Sequence, residues 1–326
     1  MTVELNYRQA ISRALADELE ADPTVVLIGE DVGAAGGAFK ATAGLFEQFG
    51  PMRVRDTPIS EQAIVGAALG AALMGMRPVA EIMFADFAGV CFDQIANQLA
   101  KYRYMTGGQA RVPVTVRMAN GAGAGFAAQH SQPVENWFLN IPGLKIAVPA
   151  TPADLYGLLR SAIRDDNPVL VFEHKNLFAV KGSLGEGDGM VPLGVADVIR
   201  SGRDVTIVAT QQMRYRALEA AERLHGGGIE AEVIDPRTLV PFDDATVTKS
   251  IERTSRLVVV QEAPVDGSWG ASLIARMVTQ NWTLFDAPPA LVAADATPIP
   301  FAAALEAQWL PTVERIVRTV EETVAS

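Results

Sequence analysis

Pro78-Val79-Ala80-Glu81-Ile82-Met83-Phe84 is a mostly apolar run of strand length. Four more such runs stand in the first half of the chain: Val25-Val26-Leu27-Ile28, Val112 to Met118, Lys145 to Val148, and Val169 to Phe172. Helix-compatible stretches lie between several of them. Runs apolar on both faces, separated by helices, are the signature of a largely parallel sheet covered on both sides. The first half therefore reads as α/β. From about Val180 to Arg203 the texture changes to Lys181-Gly182-Ser183-Leu184-Gly185-Glu186-Gly187-Asp188-Gly189, a polar glycine-rich segment that reads as a linker. The rhythm then resumes with Val205 to Val208, a helix-compatible Met213 to Leu224, Ala231 to Ile234, Leu257 to Val260, and Ala290 to Ala293. A second α/β domain is expected, dividing the chain into residues 1–190, ending in the linker, and 191–326. Glu306 to Val324 is expected to close it as one amphipathic helix, and no repeat of fixed period occurs.

At 326 residues and 49% hydrophobic content the chain can bury substantial cores, and its length suits two domains. A net charge of −11 would be repelled by nucleic acid and by anionic membrane, so neither is expected as the main partner. A basic protein partner is electrostatically easier. The single cysteine, Cys91, allows no intrachain disulfide and fits a reducing setting. The N-terminus has no basic stretch followed by an apolar core, so a cytoplasmic location is expected. Ala63 to Met76 is rich in Gly and Ala but too short to span a bilayer, which needs about 20 residues; it reads as a buried helix.

Two glycine-rich segments resemble nucleotide loops and fail. In Gly121-Ala122-Gly123-Ala124-Gly125-Phe126 the third glycine of a dinucleotide fingerprint is replaced by Phe126. Gly187-Asp188-Gly189 resembles the start of a magnesium and diphosphate motif, but Thr210 to Glu222 supplies no Asn to complete it, and Gly-Asp-Gly is also ordinary turn chemistry. No Gly-Lys-Ser or Gly-Lys-Thr is present either, which removes a P-loop.

The residues that could carry chemistry lie elsewhere. In Asp56-Thr57-Pro58-Ile59-Ser60-Glu61, Pro58 disfavours helix at Thr57 and Ser60 is a suitable N-cap. Glu61 then falls in the first helical turn, where it either serves a ligand or merely complements the helix dipole. Gly66, Gly70, Ala67, Ala71 and Ala72 on the same helix would let another backbone approach closely. Phe87, just past the run ending at Phe84, could stack on a planar ring or simply pack in the core. Gln129-His130-Ser131 follows the Gly121 to Gly125 loop, and a histidine there could act as acid or hydrogen-bond donor. His225 reads as a solvated helix-end residue and His174 has no assigned role. No triad order or metal-ligand spacing joins the histidines.

Taken in order, Thr57 to Glu61, Met83 to Phe87, Asp93-Gln94-Ile95, Ala100 to Met105, Gly107-Gly108-Gln109, Ala128 to Ser131, Ile141 to Lys145 and Asp235 to Leu239 resemble the β subunits of the thiamine diphosphate-dependent dehydrogenase complexes. The similarity covers nearly the whole chain. It implies a thiamine diphosphate-binding, pyrimidine-type α/β domain followed by a transketolase C-terminal-like α/β domain. It also implies an α2β2 heterotetramer in which the α subunit holds Mg2+ and the diphosphate while the β subunit grips the aminopyrimidine. By this resemblance Glu61 is the glutamate that hydrogen-bonds the pyrimidine ring nitrogen, and Phe87 packs on the ring with Ile59 and Met83 nearby. Glu30 is an acidic neighbour of the cofactor, and His130 is the histidine that approaches the substrate. Related β subunits bind potassium, and the matching positions are Val112, Val114, Thr115, Ala162, Asp165 and Asn167, although Asp165-Asp166-Asn167-Pro168 is equally a plain helix-ending turn.

Met83 stands where branched-chain relatives tend to carry Gln, which leans toward a smaller substrate. The pattern looks most like the acetoin dehydrogenase branch, with pyruvate dehydrogenase next. In either branch the acyl group passes to the lipoyl domain of an acyltransferase core, and the acidic surface suits a basic module of that core. Two further readings stand beside this one: a self-sufficient transketolase-like enzyme, and a non-catalytic assembly subunit in which Glu61 only starts a helix.

Overall fold

Val25–Gly29, Pro78 to Ile82, Thr115–Asn120 and Val169–His174 are buried at every residue. That pattern requires cover on both faces of a sheet. In the computed structural model, which describes residues 4–184 and 189–326, these strands form the centre of a parallel sheet. Within the first unit its strands run in the order Lys145–Ala147, Val169–His174, Thr115–Asn120, Arg77–Ile82, Val25–Gly29 and Val54–Asp56, each paired parallel with the next. Val54–Asp56 has too little apolar character to announce itself as a strand. It is held by backbone pairing to Val25–Gly29, which the Thr57 N–H extends by donating to the Gly29 carbonyl at 3.0 Å.

The second α/β domain has a five-stranded sheet ordered Ala290–Val292, Leu257–Val260, Val205–Ala209, Ala231–Asp235 and Asp197–Arg200. Its pairings are parallel except for the antiparallel edge strand Asp197–Arg200. Contacts divide the chain into two compact units. One contains the chain up to Asn120 with Trp137–Leu193; the other contains Gly121–Asn136 with Gly194–Ser326. The glycine-rich loop after Asn120 thus packs with the second unit, not with the sheet it leaves.

Three expectations change. The segment from Val180 to Arg203 is not linker throughout: Lys181–Ser183 pairs antiparallel with Glu4–Asn6, and Asp197–Arg200 is the edge strand. The Gly187-Asp188 pair falls outside the described residues. The expected single terminal helix is two, Ala303–Trp309 and Val313–Ala325. Leu310 is extended, as the residue before Pro311 must be to avoid a clash with the ring. Finally, the helix Glu61–Leu73 is buried on one face only. Ile64, Val65, Ala68, Leu69 and Ala72 pack inward, whereas Ala63, Ala67, Gly70 and Leu73 are exposed.

The first sheet also carries a buried charge cluster. Glu81 pairs in register with Arg117, and Glu173 lies two residues beyond Val171, the Arg117 partner on the other side, so all three project from the same face. Arg117 donates from Nε to Glu173 Oε1 at 2.7 Å and from Nη2 to Oε2 at 2.6 Å, while Nη1 contacts Glu81. Burial disfavours the guanidinium charge, but Glu173 and then Glu81 outweigh it and hold Arg117 charged. Removing the cation strands two buried carboxyls. Arg117→Met is therefore expected to lower unfolding free energy by about 3–5 kcal/mol, measured by denaturant titration; a loss of under about 1 kcal/mol would contradict this role.

Candidate active site

The winding of the first sheet reverses between two neighbouring strands near its middle. Val25–Gly29 hands the chain to Val54–Asp56 on one side, whereas its neighbour Arg77–Ile82 hands it to Thr115–Asn120 on the other. In an open parallel sheet the crevice outside the carboxyl ends at such a reversal is where ligands bind. Glu30 follows the first of these strands, Ile59 and Glu61 follow Val54–Asp56, and Met83 and Phe87 follow Arg77–Ile82. The fold thus brings these sequence-predicted residues to one sheet edge.

Close packing at this edge begins with Gly29. A Cβ there would stand 2.9 Å from both Glu81 Cβ and Val32 Cγ1, so only glycine fits before Glu30. Glu30 is buried and accepts the Ser60 backbone N–H, while its Oε1 has no hydrogen-bond partner. Burial and then the nearby Glu61 charge raise its carboxyl above the ordinary glutamate range. Ser60 is the N-cap residue as expected, but its side chain makes no capping bond. Its backbone serves Glu30 instead.

Glu61 opens the helix and is 7% exposed. Ile59, two residues earlier, is 85% exposed, an apolar side chain with no cover from this chain. Thr57 Oγ1 is buried without a hydrogen-bond partner. Phe87 is half-buried and meets Phe84 edge-on, with centroids 5.7 Å apart. Phe84 meets Phe39 at 5.4 Å, and Phe39 meets Phe178 at 5.2 Å, so an aromatic row supports Phe87 from behind. Cys91 is fully buried, and burial followed by the Glu61 charge pushes its thiol up to about 12. A thiol in that state is a packing group and no nucleophile.

His130 belongs to the second unit, half-buried on a turn where its N–H donates to the Ala127 carbonyl at 3.5 Å. His174 is fully buried, and its Nδ1 accepts the Asn176 N–H at 3.3 Å, which caps a short turn. His225 is exposed at a helix end and its Nδ1 lies 2.7 Å from Glu230.

The two segments matching a potassium site lie together, since the Val112 N–H donates to the Asp166 carbonyl at 3.1 Å and the Val169 N–H to the Val114 carbonyl at 3.0 Å. Asp165 closes the helix Pro152–Arg164, and its carboxyl binds Lys145 and the Asn167 amide. Asn167 Oδ1 accepts from Arg103 at 2.6 Å, and the Asp165 carbonyl accepts from Arg77 at 3.0 Å. Each of these oxygens already accepts a hydrogen bond, and the carbonyls among them keep a second lone pair. Thr115 Oγ1, buried with no hydrogen-bond partner, is the oxygen that fits a cation ligand.

Glu30 generates a test of the electrostatics. Between the ordinary glutamate range and its raised value, the folded chain still binds a proton that the unfolded chain has released, so stability falls as pH rises through that window. Glu30→Gln removes the term. Its thermal midpoint should gain on the wild type progressively as pH rises above the ordinary glutamate range; a difference constant with pH would contradict the assignment.

The chain matches the family model of the transketolase pyrimidine-binding domain over residues 3–181 and that of the transketolase C-terminal domain over residues 194–316. It is 46% identical to the acetoin:2,6-dichlorophenolindophenol oxidoreductase subunit beta of Cupriavidus necator, covering 99% of this chain and 98% of the relative. It is 42% identical to the mitochondrial pyruvate dehydrogenase E1 component subunit beta-2 of Oryza sativa, covering 98% and 86%. It is 41% identical to the 2-oxoisovalerate dehydrogenase subunit beta of Bacillus subtilis, covering 98% of each. Among solved structures it is similar to a split-gene transketolase described as an inactive β4 tetramer, with TM-score 0.82, 25% identity and 98% coverage of both chains. Built from a pyrimidine-binding and a C-terminal transketolase-type domain and alike over its full length to all three relatives, the chain belongs to the family of acetoin and 2-oxo acid dehydrogenase β subunits.

Proposed function

We propose that this chain is the β subunit of a thiamine diphosphate-dependent dehydrogenase component that cleaves acetoin and passes the acyl group to a lipoyl acyltransferase core. Decarboxylation of pyruvate is the second reading, favoured by the 42% identity to a pyruvate dehydrogenase subunit. The observation that carries the proposal is Glu61, a buried carboxyl in the first turn of a helix at the reversal crevice.

The residues present fit an aminopyrimidine ring. Glu30 Oε1 and Thr57 Oγ1 are buried oxygens with unmet hydrogen-bonding capacity, and Phe87 offers a supported aromatic surface, with Met83 and Ile59 as apolar residues at the same sheet edge. When bound, thiamine diphosphate supplies a carbon nucleophile that adds to the substrate carbonyl and accommodates the electrons of the bond that breaks. Glu61 holds a proton at the pyrimidine ring nitrogen and so sets which tautomer the ring adopts. A site shielded from water strengthens that hydrogen bond. Glu30, by accepting the Ser60 N–H, fixes the turn from which Glu61 projects. His130 donates to the substrate oxygen.

The α subunit completes the site in an α2β2 assembly, holding Mg2+ and the diphosphate. Its seat includes the exposed small-residue face Ala63, Ala67 and Gly70, with Ile59 and Met74, each 85% exposed, as apolar contacts. An apolar surface left bare in this way is what a permanent partner covers. Potassium, where bound, takes Thr115 Oγ1 with main-chain oxygens among Val112, Val114, Ala162, Asp165 and Asn167, a hard-oxygen set.

Co-expression with the α subunit and dye-reduction assays with acetoin, pyruvate and branched-chain 2-oxo acids test the reading. Acetoin is expected to give the highest kcat/KM. Glu61→Gln should lower kcat by at least about a hundredfold; full activity in that variant would refute the catalytic assignment. For the cation, replacing potassium chloride by choline chloride should lower the thermal midpoint of the wild-type complex but not of Thr115→Val, and equal shifts in both would exclude Thr115 as a ligand.

A further inference from the structure

Gly121-Ala122-Gly123-Ala124-Gly125 fails as a nucleotide fingerprint, yet its backbone is shaped to hold an anion. Gly121, Gly123 and Gly125 have φ of 87°, 91° and 75°, a region that side-chain-bearing residues seldom adopt. Placing every second residue there lets alternate N–H groups turn toward a common carboxylate. The group they meet comes from the same chain. Glu306, 3% exposed and 183 residues from Gly123, accepts the Gly123 N–H at 2.7 Å and the Gly125 N–H at 3.1 Å. Glu262 accepts the Ala122 N–H.

The second sheet explains why the loop settles here. Its winding reverses between Val205–Ala209 and Leu257–Val260, so its own crevice lies outside the carboxyl ends of those strands. Glu262 stands just beyond Val260, and Ala122 is fully buried in one cluster with Ile207, Ala209, Val258 and Val260. The loop therefore occupies the place where this sheet would take a ligand. Its far end is also tied, because Asn136 Oδ1 accepts the Trp269 N–H at 2.8 Å. His130 lies between the two anchored ends.

We infer that Glu306 is a positioning residue for the reaction, acting through His130 by clamping the glycine loop that carries it. The inference rests on the role proposed above for His130. In the co-expressed α/β complex, Glu306→Ala is expected to lower kcat with acetoin or pyruvate by about ten- to a hundredfold. Affinity for thiamine diphosphate should stay within about twofold, since no cofactor contact is altered. Glu306→Gln, which keeps one acceptor oxygen, should fall between wild type and Glu306→Ala, and amide exchange over residues 121–130 should quicken in the same order.

A double-mutant cycle separates positioning from general loss of structure. In a His130→Ala background, Glu306→Ala should cost no more than about twofold further, because both changes act through one side chain. An unchanged kcat, or the same cost with and without His130, overturns the proposal. If the Ala variant does not assemble, the cycle is run with Glu306→Gln. Full activity in Glu61→Gln would instead defeat the functional reading, and amide exchange would still report whether Glu306 holds the loop.

Discussion

The reversal of winding between Val25–Gly29 and Arg77–Ile82 is the constraint on which the rest of the structure depends. It opens the crevice at which Glu30, Glu61 and Phe87 leave the sheet. The Arg117 cluster lies in the same sheet, with Glu81 on the strand that borders the crevice. Burying a guanidinium between two carboxyls is tolerable only when each partner is matched, and here three neighbouring positions are fixed in one register. That register also carries Met83 and Phe87, so electrostatic matching in the sheet and placement of the candidate site are set together.

Several features are unfavourable for a chain standing alone. Glu30 and Glu61 are like-charged neighbours away from water, Glu30 Oε1 and Thr57 Oγ1 lack partners, and Ile59 and Met74 lie bare. Such costs concentrate where function requires them. A polar ring and a second subunit would offset all of them at once, which is why the divided site accounts for more of the structure than a non-catalytic assembly role does. The acyl acceptor and the location of the α subunit belong to the same reading.

Much of this was legible in the sequence because it is local. The central strands are apolar on both faces, and Pro58-Ile59-Ser60-Glu61 marks a helix start on its own. What escaped depends on partners far along the chain. The Gly121 to Gly125 loop reads as a failed nucleotide motif until Glu306 is seen to accept its N–H groups. Val54–Asp56 is a strand through pairing and not through composition. Ser60 has the right chemistry for a cap, but tertiary structure directs its backbone to Glu30. The break at Leu310 was present in the sequence as Pro311 and was overridden in the expectation by the apolar periodicity on either side.

The most direct measurement is the rate at which the acidic thiazolium C–H of thiamine diphosphate, bound to the α/β complex, exchanges with solvent deuterium. This reports proton removal alone, ahead of substrate and of acyl transfer. If Glu61 sets the pyrimidine tautomer, exchange in the Glu61→Gln complex should be slower by at least about a hundredfold with the cofactor still bound. Exchange at the wild-type rate in that variant would contradict the account.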